Sequence, residues 1–380
     1  MSGPDAPSPE DGATTPLGAR LAARIARHGP ITLADYMAEA LTHPRHGYYM
    51  HGDPFGTRGD FITAPEISQI FGELIGLWCA EVWHAQGAPD PVLLVELGPG
   101  RGTLMADALR AARIALDFHR AVRPHLVEIS PALRRRQAET LHAYSGDLTP
   151  TWHDSLADVP EGPILLIANE FFDALPVRQF ARTAAGWCER LVTLSADGRS
   201  LILTLGPPGP QAEILTAQAK LNTPPGAIAE VSPAAIGIAA EIGRRLAAHG
   251  GAALIIDYGN DRPPGEPTLQ AVRRHARHDV LAQPGRADLT AHVDFAALAR
   301  AATEAGARAS GPVPQGAFLE ALGLSARVST LSRTATPAQA EAIAAAVHRL
   351  TDTAEMGTLF KALALSAPGN AALPGFPQPA

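Results

Sequence analysis

Acidic side chains close four of the apolar segments of this 380-residue chain. Glu96, Glu128, Glu170 and Asp257 each stand at the end of an aliphatic run as long as a buried strand. The carboxyl ends of parallel strands meet at one edge of a sheet, where open α/β folds bind their ligands. Carboxylates there hold cations, accept hydrogen bonds from hydroxyl groups and accept protons. The pattern predicts a ligand site built from strand ends.

The stretch VELGPGRGT, residues 95–103, follows the first of these runs. Its glycines are Gly98, Gly100 and Gly102, whereas a dinucleotide fingerprint needs a further small residue where Thr103 stands. Glu96 would repel a pyrophosphate but suits a cation, such as the amino end of a methionine moiety beside a sulfonium. Glycines allow the backbone to approach such a ligand closely.

Glu128 closes the next strand, where an acidic residue hydrogen-bonds both hydroxyls of an adenosine ribose in analogous nucleotide folds. Together with the glycine loop, it favours S-adenosyl-L-methionine (SAM) over NAD. The alternatives are a dinucleotide and, with less support, a strand-to-helix turn that binds nothing.

The elements that position these residues alternate between strand and helix from Pro91 onwards, which predicts a mostly parallel, doubly wound sheet. We expect residues 1–16 to be disordered and residues 17–90 to form an N-terminal helical and lid region. The core is expected over residues 91–365, with an antiparallel insertion at about 177–230, followed by a flexible tail over 366–380.

Composition excludes several classes of function. A net charge of −7 and a pI near 6.0 argue against a nucleic-acid binder with a broad basic surface. No apolar run reaches the roughly 18 to 20 residues of a membrane span. Cys79 and Cys188 lie far apart and outside any metal-ligand spacing, as expected of thiols in a reducing compartment. These features predict a cytoplasmic protein without a metal site, and His275 and His278 fit a solvated loop better than a metal patch.

Seven ordered motifs resemble the MidA-like methyltransferases, over roughly residues 17–365. They are GDFITAPEISQIFGE, ELGPGRGT, LVEISPALRRRQ, ANEFFDALPVRQF, EVSPAA, IDYG and ADLTAHVDF. This family includes bacterial proteins and the mitochondrial arginine methyltransferase that assists respiratory complex I assembly. The resemblance implies a class I SAM-dependent methyltransferase core, which is a Rossmann-like α/β fold.

The predicted SAM-binding residues come from the glycine loop, the strand ends and a loop expected to fold over the cofactor. The resemblance places Glu96 and the glycines in the first cofactor motif, Glu128 at the ribose, and residues 154–156 beside adenine. The full set is Phe61, Thr63, Glu96, Gly98, Gly100, Gly102, Thr103, Glu128, Ile129, Ser155, Leu156 and Asn169.

The stretch NEFFDALP supplies the main catalytic candidates, Glu170 and Asp173, which share one face if the chain turns helical there. We expect Glu170 to clamp a guanidinium and Asp173 to be a second partner or proton acceptor. The alternative is that Asn169 caps a short helix, with Asp173 at its positive end. His292 is a candidate base or substrate contact, or else a loop histidine.

The predicted function is a SAM-dependent protein-arginine N-methyltransferase that acts on a partner protein such as a respiratory complex I subunit. Methylation of a small molecule, and a non-catalytic assembly factor with a methyltransferase-like core, are the alternatives. The intact glycines and both acids, Glu96 and Glu128, disfavour the non-catalytic alternative. Glu230, in EVSPAA, is a possible third carboxylate or a surface residue.

Overall fold

The computed structural model describes residues 15–50, 62–142, 144, 148–216, 220, 223–260, 265–369 and 372–377. Phe61, predicted to contact the cofactor, lies outside the described residues.

The strands fall into three sheets. In chain order they are β1 (Ile31–Thr32), β2 (Val92–Leu97), β3 (Val122–Val127), β4 (Thr151–His153), β5 (Ile164–Asn169), β6 (Arg178–Thr183), β7 (Gly186–Leu194), β8 (Leu201–Pro208), β9 (Ile228–Val231), β10 (Gly251–Asn260), β11 (Gln270–Arg273), β12 (Ala276–His278), β13 (Asp288–Thr290), β14 (Val293–Asp294), β15 (Arg308–Pro314) and β16 (Phe360–Ser366).

The helices connect and cover these strands. They are α1 (Pro16–His28), α2 (Leu33–Thr42), α3 (Ala64–Ile67), α4 (Gln69–Ala85), α5 (Thr103–Ala112), α6 (Leu116–Ala121), α7 (Pro131–His142), α8 (Pro233–His249), α9 (Phe295–Glu304), α10 (Gln315–Ala321), α11 (Leu324–Ser332), α12 (Pro337–Thr351) and α13 (Met356–Leu359). Short 3₁₀ turns occupy Tyr48–Met50, Leu156–Asp158 and Pro210–Ile214. No helix in the described ranges is both long and apolar enough to cross a bilayer.

The central sheet has the order β15-β16-β10-β5-β2-β3-β4, and β14 pairs with β10. The ladders from β4 to β10 are parallel, while β16 runs antiparallel to both its neighbours. Because helices cover both faces, β2 and β5 are apolar along almost their whole length and fully buried. The chain runs from β2 to β3 and β4, then returns to β5 on the other side of β2. This reversal is the switch point where such sheets bind ligands. The predicted doubly wound fold is confirmed.

The predicted N-terminal helical region is divided between two parts of the molecule. Helices α1 and α2 pack with the antiparallel sheet β1-β7-β6-β9, and β1 pairs directly with β7. Helix α4 instead lies in the main core against α5, where added Cβ atoms on Gly72 and Gly76 would come within 2.6 Å of α5 atoms. Residue 90 is therefore not a structural boundary: α1 and α2 belong to one hydrophobic core and α4 to another. Helical periodicity in the sequence does not reveal this division, because it depends on tertiary packing.

The chain termini also differ from expectation where they are described. Thr15 caps α1 by accepting a hydrogen bond from the Gly18 N–H at 2.9 Å, so ordered structure begins before residue 17. Residues 372–377 were predicted to belong to a flexible tail, but Leu373 and Phe376 are buried in the main core. The indole N–H of Trp78 donates to the Pro374 carbonyl at 3.1 Å. The apolar side chains of this segment therefore act as core residues.

Replacing Phe376 with alanine should lower the free energy of unfolding by about 3 kcal/mol, because it removes a buried ring that packs against Phe318. Urea denaturation of wild type and variant measures this difference. Leu77→Ala, at a position 38% exposed, is the matched control and should cost less than about 1 kcal/mol. Equal, small effects of both changes would show that the terminal segment contributes nothing to the core.

Candidate active site

A cavity of about 650 Å³ lies at the carboxyl ends of β2, β3, β5 and β10. We call the part lined by residues 96–101, 103–104, 127–129, 133 and 154–156 the glycine-loop side. We call the part lined by Tyr49, residues 169–171 and 173–175, Tyr258, Gln270, Val272, Asp288 and Thr290 the acidic side. The cavity therefore gathers the strand-end carboxylates at the switch point of the sheet.

The glycine loop joins β2 to α5 in a conformation that requires glycine. Gly98 has a φ of +61°, and an added Cβ would lie 2.8 Å from the ring of Phe171. Gly102 precedes the first residue of α5 in a left-handed conformation with a φ of +81°. The Thr103 hydroxyl donates to a Glu66 carboxylate oxygen, which ties the loop to α3. The loop thus presents its backbone to the cavity.

Glu96 is a buried carboxylate whose Oε2 atom has no hydrogen-bond partner among the described residues. Burial raises the pKa of Glu96 to about 8, although a hydrogen bond from the Met105 N–H opposes this. An unpartnered buried anion is costly, and a cation bound beside it removes that cost. The site thus suits the cationic methionine amino group that the sequence predicts here.

Glu128 is held at the end of β3 by hydrogen bonds to both of its oxygens. Oε1 accepts from the Ser130 N–H at 2.8 Å, and Oε2 accepts from Gln137 Nε2 at 3.2 Å. The same Gln137 amide donates to the Gly100 carbonyl at 2.8 Å, which fixes the acid relative to the glycine loop. Burial raises the pKa of Glu128 despite these hydrogen bonds. A rigid carboxylate at this position suits the hydroxyls of a ribose.

Most of the predicted cofactor residues line the cavity. Those that do are Thr63, Glu96, Gly98, Gly100, Thr103, Glu128, Ile129, Ser155, Leu156 and Asn169. Gly102 is not among the lining residues and shapes the start of α5 instead. Ser155 and Leu156 are positioned by a capping box between Ser155 and Asp158. The structure thus brings together every described member of the set except Gly102.

The segment after β5 is a non-helical turn, so the short helix considered for this stretch in both interpretations is absent. Glu170 has a φ of +51°, and the chain does not become helical between residues 170 and 176. Asp257 is the reason. Its Oδ2 atom accepts hydrogen bonds from the backbone N–H groups of Phe171, Phe172 and Asp173 at 3.1, 2.8 and 3.3 Å. The three hydrogen bonds to one oxygen hold the turn in this non-helical conformation.

Glu170 and Asp173 both reach the acidic side despite this different backbone. Burial, and secondarily the charge of Asp257, raise the pKa of Glu170 to about 7, against hydrogen bonds that lower it. Burial, and then the charges of Asp257, Asp288 and Glu170, raise the pKa of Asp173 well above its usual range. These carboxyl groups are crowded enough to repel one another, so the acidic side favours a cationic ligand or a bound proton.

Asp288 and Tyr49 complete the acidic side and were not among the predicted site residues. The Tyr49 hydroxyl donates to Asp288 Oδ1 at 2.7 Å, and both residues line the cavity. Asp288 begins β13, in a small three-stranded sheet that the sequence analysis did not predict. The available signals were its place in ADLTAHVDF and, for Asp257, its place in IDYG. Nothing in the sequence indicated that both would face the turn after β5.

His292 and Glu230 do not line this cavity. His292 Nε2 lies 2.6 Å from the hydroxyl oxygen of Tyr258, which does line it. Glu230 accepts hydrogen bonds from Gln179 and Thr268. Both residues border a second, smaller cavity. Direct contact of His292 with a substrate in the main cavity is therefore not supported, because Tyr258 stands between them.

The short helix α3 connects the two sides of the cavity. Its Ala64 N–H donates to Glu170 Oε1 at 2.8 Å. Glu66, two residues further on, pairs with Arg101 at 3.1 Å and accepts from Thr103. Thr63 and Pro65 line the cavity from the same segment. The segment that was predicted to fold over the cofactor does contact both the glycine loop and the acidic turn.

Comparison with known proteins identifies this arrangement. Residues 74–313 match the model of the family described as "Putative S-adenosyl-L-methionine-dependent methyltransferase". The mitochondrial protein arginine methyltransferase NDUFAF7 of Mus musculus is 40% identical, over 94% of this chain and 85% of that protein. Its Drosophila melanogaster homolog is 38% identical, over 95% and 87% of the two chains.

Solved structures agree with the sequence relatives. A Burkholderia thailandensis protein crystallised with S-adenosyl-homocysteine superimposes with a TM-score of 0.83 and 34% identity, covering 98% of this chain and 97% of that one. The family model, the sequence identities and the solved structure all indicate the same family, whose cofactor is SAM. The chain belongs to the S-adenosyl-L-methionine-dependent methyltransferase family.

Proposed function

We propose that this protein is a protein-arginine N-methyltransferase and that its acceptor is an arginine of a partner protein, such as a respiratory complex I subunit. One observation carries the proposal. Glu170, Asp173 and Asp288 line the acidic side, and Arg101 is the one basic residue among the described residues that line the cavity. Arg101 is paired with Glu66, so it does not neutralise these acids.

The excess of carboxylates matches an acceptor that is itself a cation. A guanidinium has a pKa above 12, so it is positively charged at neutral pH, and it binds carboxylates through paired N–H donors. Aromatic rings of Tyr49, Phe171 and Tyr258 line the same side and suit the flat face of such a group. The relatives named as protein arginine methyltransferases, at 38 to 40% identity, support the same acceptor. The proposal that the acceptor is a complex I subunit is supported by the family resemblance found in the sequence.

The residues of the glycine-loop side fit SAM. Glu96 would hold the methionine amino group, the glycine loop would pass along the methionine chain, and Glu128 would hold the ribose hydroxyls. When bound, SAM supplies an electrophilic methyl group on a sulfonium. The protein's part is to bring the acceptor nitrogen close to that methyl in line with the leaving sulfur. Glu170 and Asp173 orient the guanidinium, and Asp288 with Tyr49 holds its far side.

The predicted cytoplasmic location remains part of the proposal. Cys79 and Cys188 are both free and buried, which suits a reducing compartment.

Glu170→Gln should reduce arginine methylation by about 100-fold or more, because it removes a charge that clamps the guanidinium. Glutamine retains an oxygen that accepts the Ala64 N–H, so the turn should stay in place. The assay uses methyl-labelled SAM and a lysate from cells that lack the protein, with methylarginine detected by mass spectrometry. SAM affinity, measured by calorimetry, should be unchanged.

The matched control is Glu161→Gln, at a surface carboxylate that pairs with Arg244 on α8. It should methylate at the wild-type rate. Full activity of Glu170→Gln would show that Glu170 does not bind the acceptor. Methyl label found only on small molecules would show that the acceptor is not a protein arginine.

The kcat/KM for the protein acceptor should rise as the pH increases through about 7. The pKa of Glu170 in the free enzyme is about 7, and only its ionised form attracts the guanidinium. Between pH 6 and pH 8 the ionised fraction, and with it kcat/KM, grows roughly tenfold. Glu170→Gln should remove this rise, and Asp257→Asn tests whether the nearby Asp257 contributes to it. A flat wild-type profile would contradict the assignment.

Glu96→Gln should weaken SAM binding by about tenfold or more, because the buried anion that faces the cationic amino group is lost. In the absence of SAM the same change should raise stability at alkaline pH. The folded pKa of Glu96, about 8, exceeds the usual value of 4.5, so the folded state retains a proton that the unfolded chain releases. Wild-type stability therefore falls between pH 4.5 and 8, and the variant avoids this loss. Thermal unfolding against pH, with and without SAM, measures both effects. Wild-type affinity in the variant would contradict the role of Glu96.

A further inference from the structure

Tyr258 and His292 form a close polar pair at the edge of the acidic side. Tyr258 follows Asp257 near the end of β10, and its hydroxyl oxygen lies 2.6 Å from His292 Nε2. The two rings meet edge to face with centroids 4.3 Å apart. Gln270 Nε2 donates to the same hydroxyl at 3.1 Å, which leaves the phenolic hydrogen available to the imidazole. Both side chains are only partly exposed.

The pair connects two cavities. Tyr258 lines the main cavity, whereas His292 lines a second one of about 60 Å³, bordered also by Glu230, Glu266 and Thr268. That volume has room for about two water molecules. The hydrogen bond between the two side chains therefore links a residue that lines one cavity to a residue that lines the other.

Methyl transfer to a guanidinium leaves one proton to be removed. The acceptor nitrogen uses its lone pair to form the N–C bond, and the electrons of the broken C–S bond remain on sulfur. The guanidinium, already a cation, would carry two positive charges after the transfer, so one N–H proton must leave. Asp173 lines the acidic side and, when ionised, its carboxylate can take this proton. A proton that stays on Asp173 removes a charge needed for the next acceptor, so it must leave the acidic side.

We propose that Tyr258 and His292 carry this proton from the acidic side into the second cavity. The phenol oxygen receives the proton while its own hydrogen passes to His292 Nε2, and the imidazole releases a hydrogen from Nδ1 towards the second cavity. Each transfer restores the number of hydrogens on Tyr258, and a return flip of both groups restores their orientation. The inference rests on the proposed function, because it needs an acceptor that loses a proton.

The electrostatics of the groups along this path support it. Burial lowers the pKa of His292, so at neutral pH the ring is unprotonated and can accept a hydrogen. The charge of Glu230, on the wall of the second cavity, opposes that lowering and attracts the proton outward. Burial raises the pKa of Tyr258, and the charge of Asp173, which lines the same cavity, adds to that rise. The proposed path therefore runs from Asp173 on the acidic side, through Tyr258 and His292, to Glu230 on the second cavity.

The test compares Tyr258→Phe and His292→Gly with the wild type in the labelled-methyl assay. Each variant should lose about 100-fold in kcat, with KM values for SAM and for the protein acceptor unchanged. The double variant should lose no more than either single one, because both interrupt the same path. Added imidazoles should restore kcat to His292→Gly, in proportion to their basicity. Tyr144→Phe and His249→Gly, at surface positions, are the matched controls and should be unaffected.

A measurement without turnover checks the pair itself. The proton between Tyr258 and His292 should give a downfield NMR resonance that Tyr258→Phe and His292→Gly each abolish, while calorimetry shows unchanged SAM binding. Wild-type kcat in both variants, with arginine still methylated by the wild type, would overturn the relay and leave the proposed function intact. A loss of kcat that no imidazole restores would show a structural role and also overturn the relay. Absence of arginine methylation by the wild type would overturn both.

Discussion

The carboxylate of Asp257 is the constraint on which the rest of the site depends. It is fully buried at the end of β10, where it accepts hydrogen bonds from three consecutive N–H groups of the turn after β5 and from the Tyr258 N–H. Four donors on one side chain offset much of the cost of burying it. By fixing residues 171–173, Asp257 determines where each neighbouring side chain points.

The consequences extend to both sides of the cavity. Phe171 packs against Gly98 and so sets the path of the glycine loop. Glu170 holds the start of α3, and Asp173 faces the acidic side. The Asp173 carbonyl accepts the Ala291 N–H at 2.9 Å, which anchors the chain segment that carries His292. One buried anion thus coordinates the cofactor loop, the short helix above it and the acceptor residues.

The charge of the cavity follows the same logic. Glu96, Glu170 and Asp173 are all buried enough to have raised pKa values, so without ligands these acids tend to keep a proton, and the protein only partly compensates their charge when they ionise. Ligands that bring positive charge relieve this imbalance. A sulfonium cofactor and a guanidinium acceptor each bring one positive charge. The binding of both therefore depends on the excess of buried carboxyl groups in the cavity.

The glycine loop and the predicted cofactor residues could be found in the sequence because each depends on local chemistry at a strand end. Thr103 argued against a dinucleotide loop, and the apolar runs before Glu96, Glu128 and Glu170 predicted the parallel sheet. The turn at 170–173 could not be predicted, because its shape is imposed by Asp257, some 85 residues later in the chain. The division of residues 17–90 and the burial of Phe376 likewise depend on long-range packing. The pairing of Asp288 with Tyr49 depends on a contact across 239 positions.

Mass spectrometry of protein arginine methylation in cells is the direct test of whether this site methylates arginine. The comparison uses the parent strain, a strain lacking the gene, and that strain complemented with either the wild-type or the Glu170→Gln protein. We expect one or a few protein arginines to lose their methyl groups when the gene is absent and to regain them only with the wild-type protein. Identical arginine methylation in all four strains would contradict it.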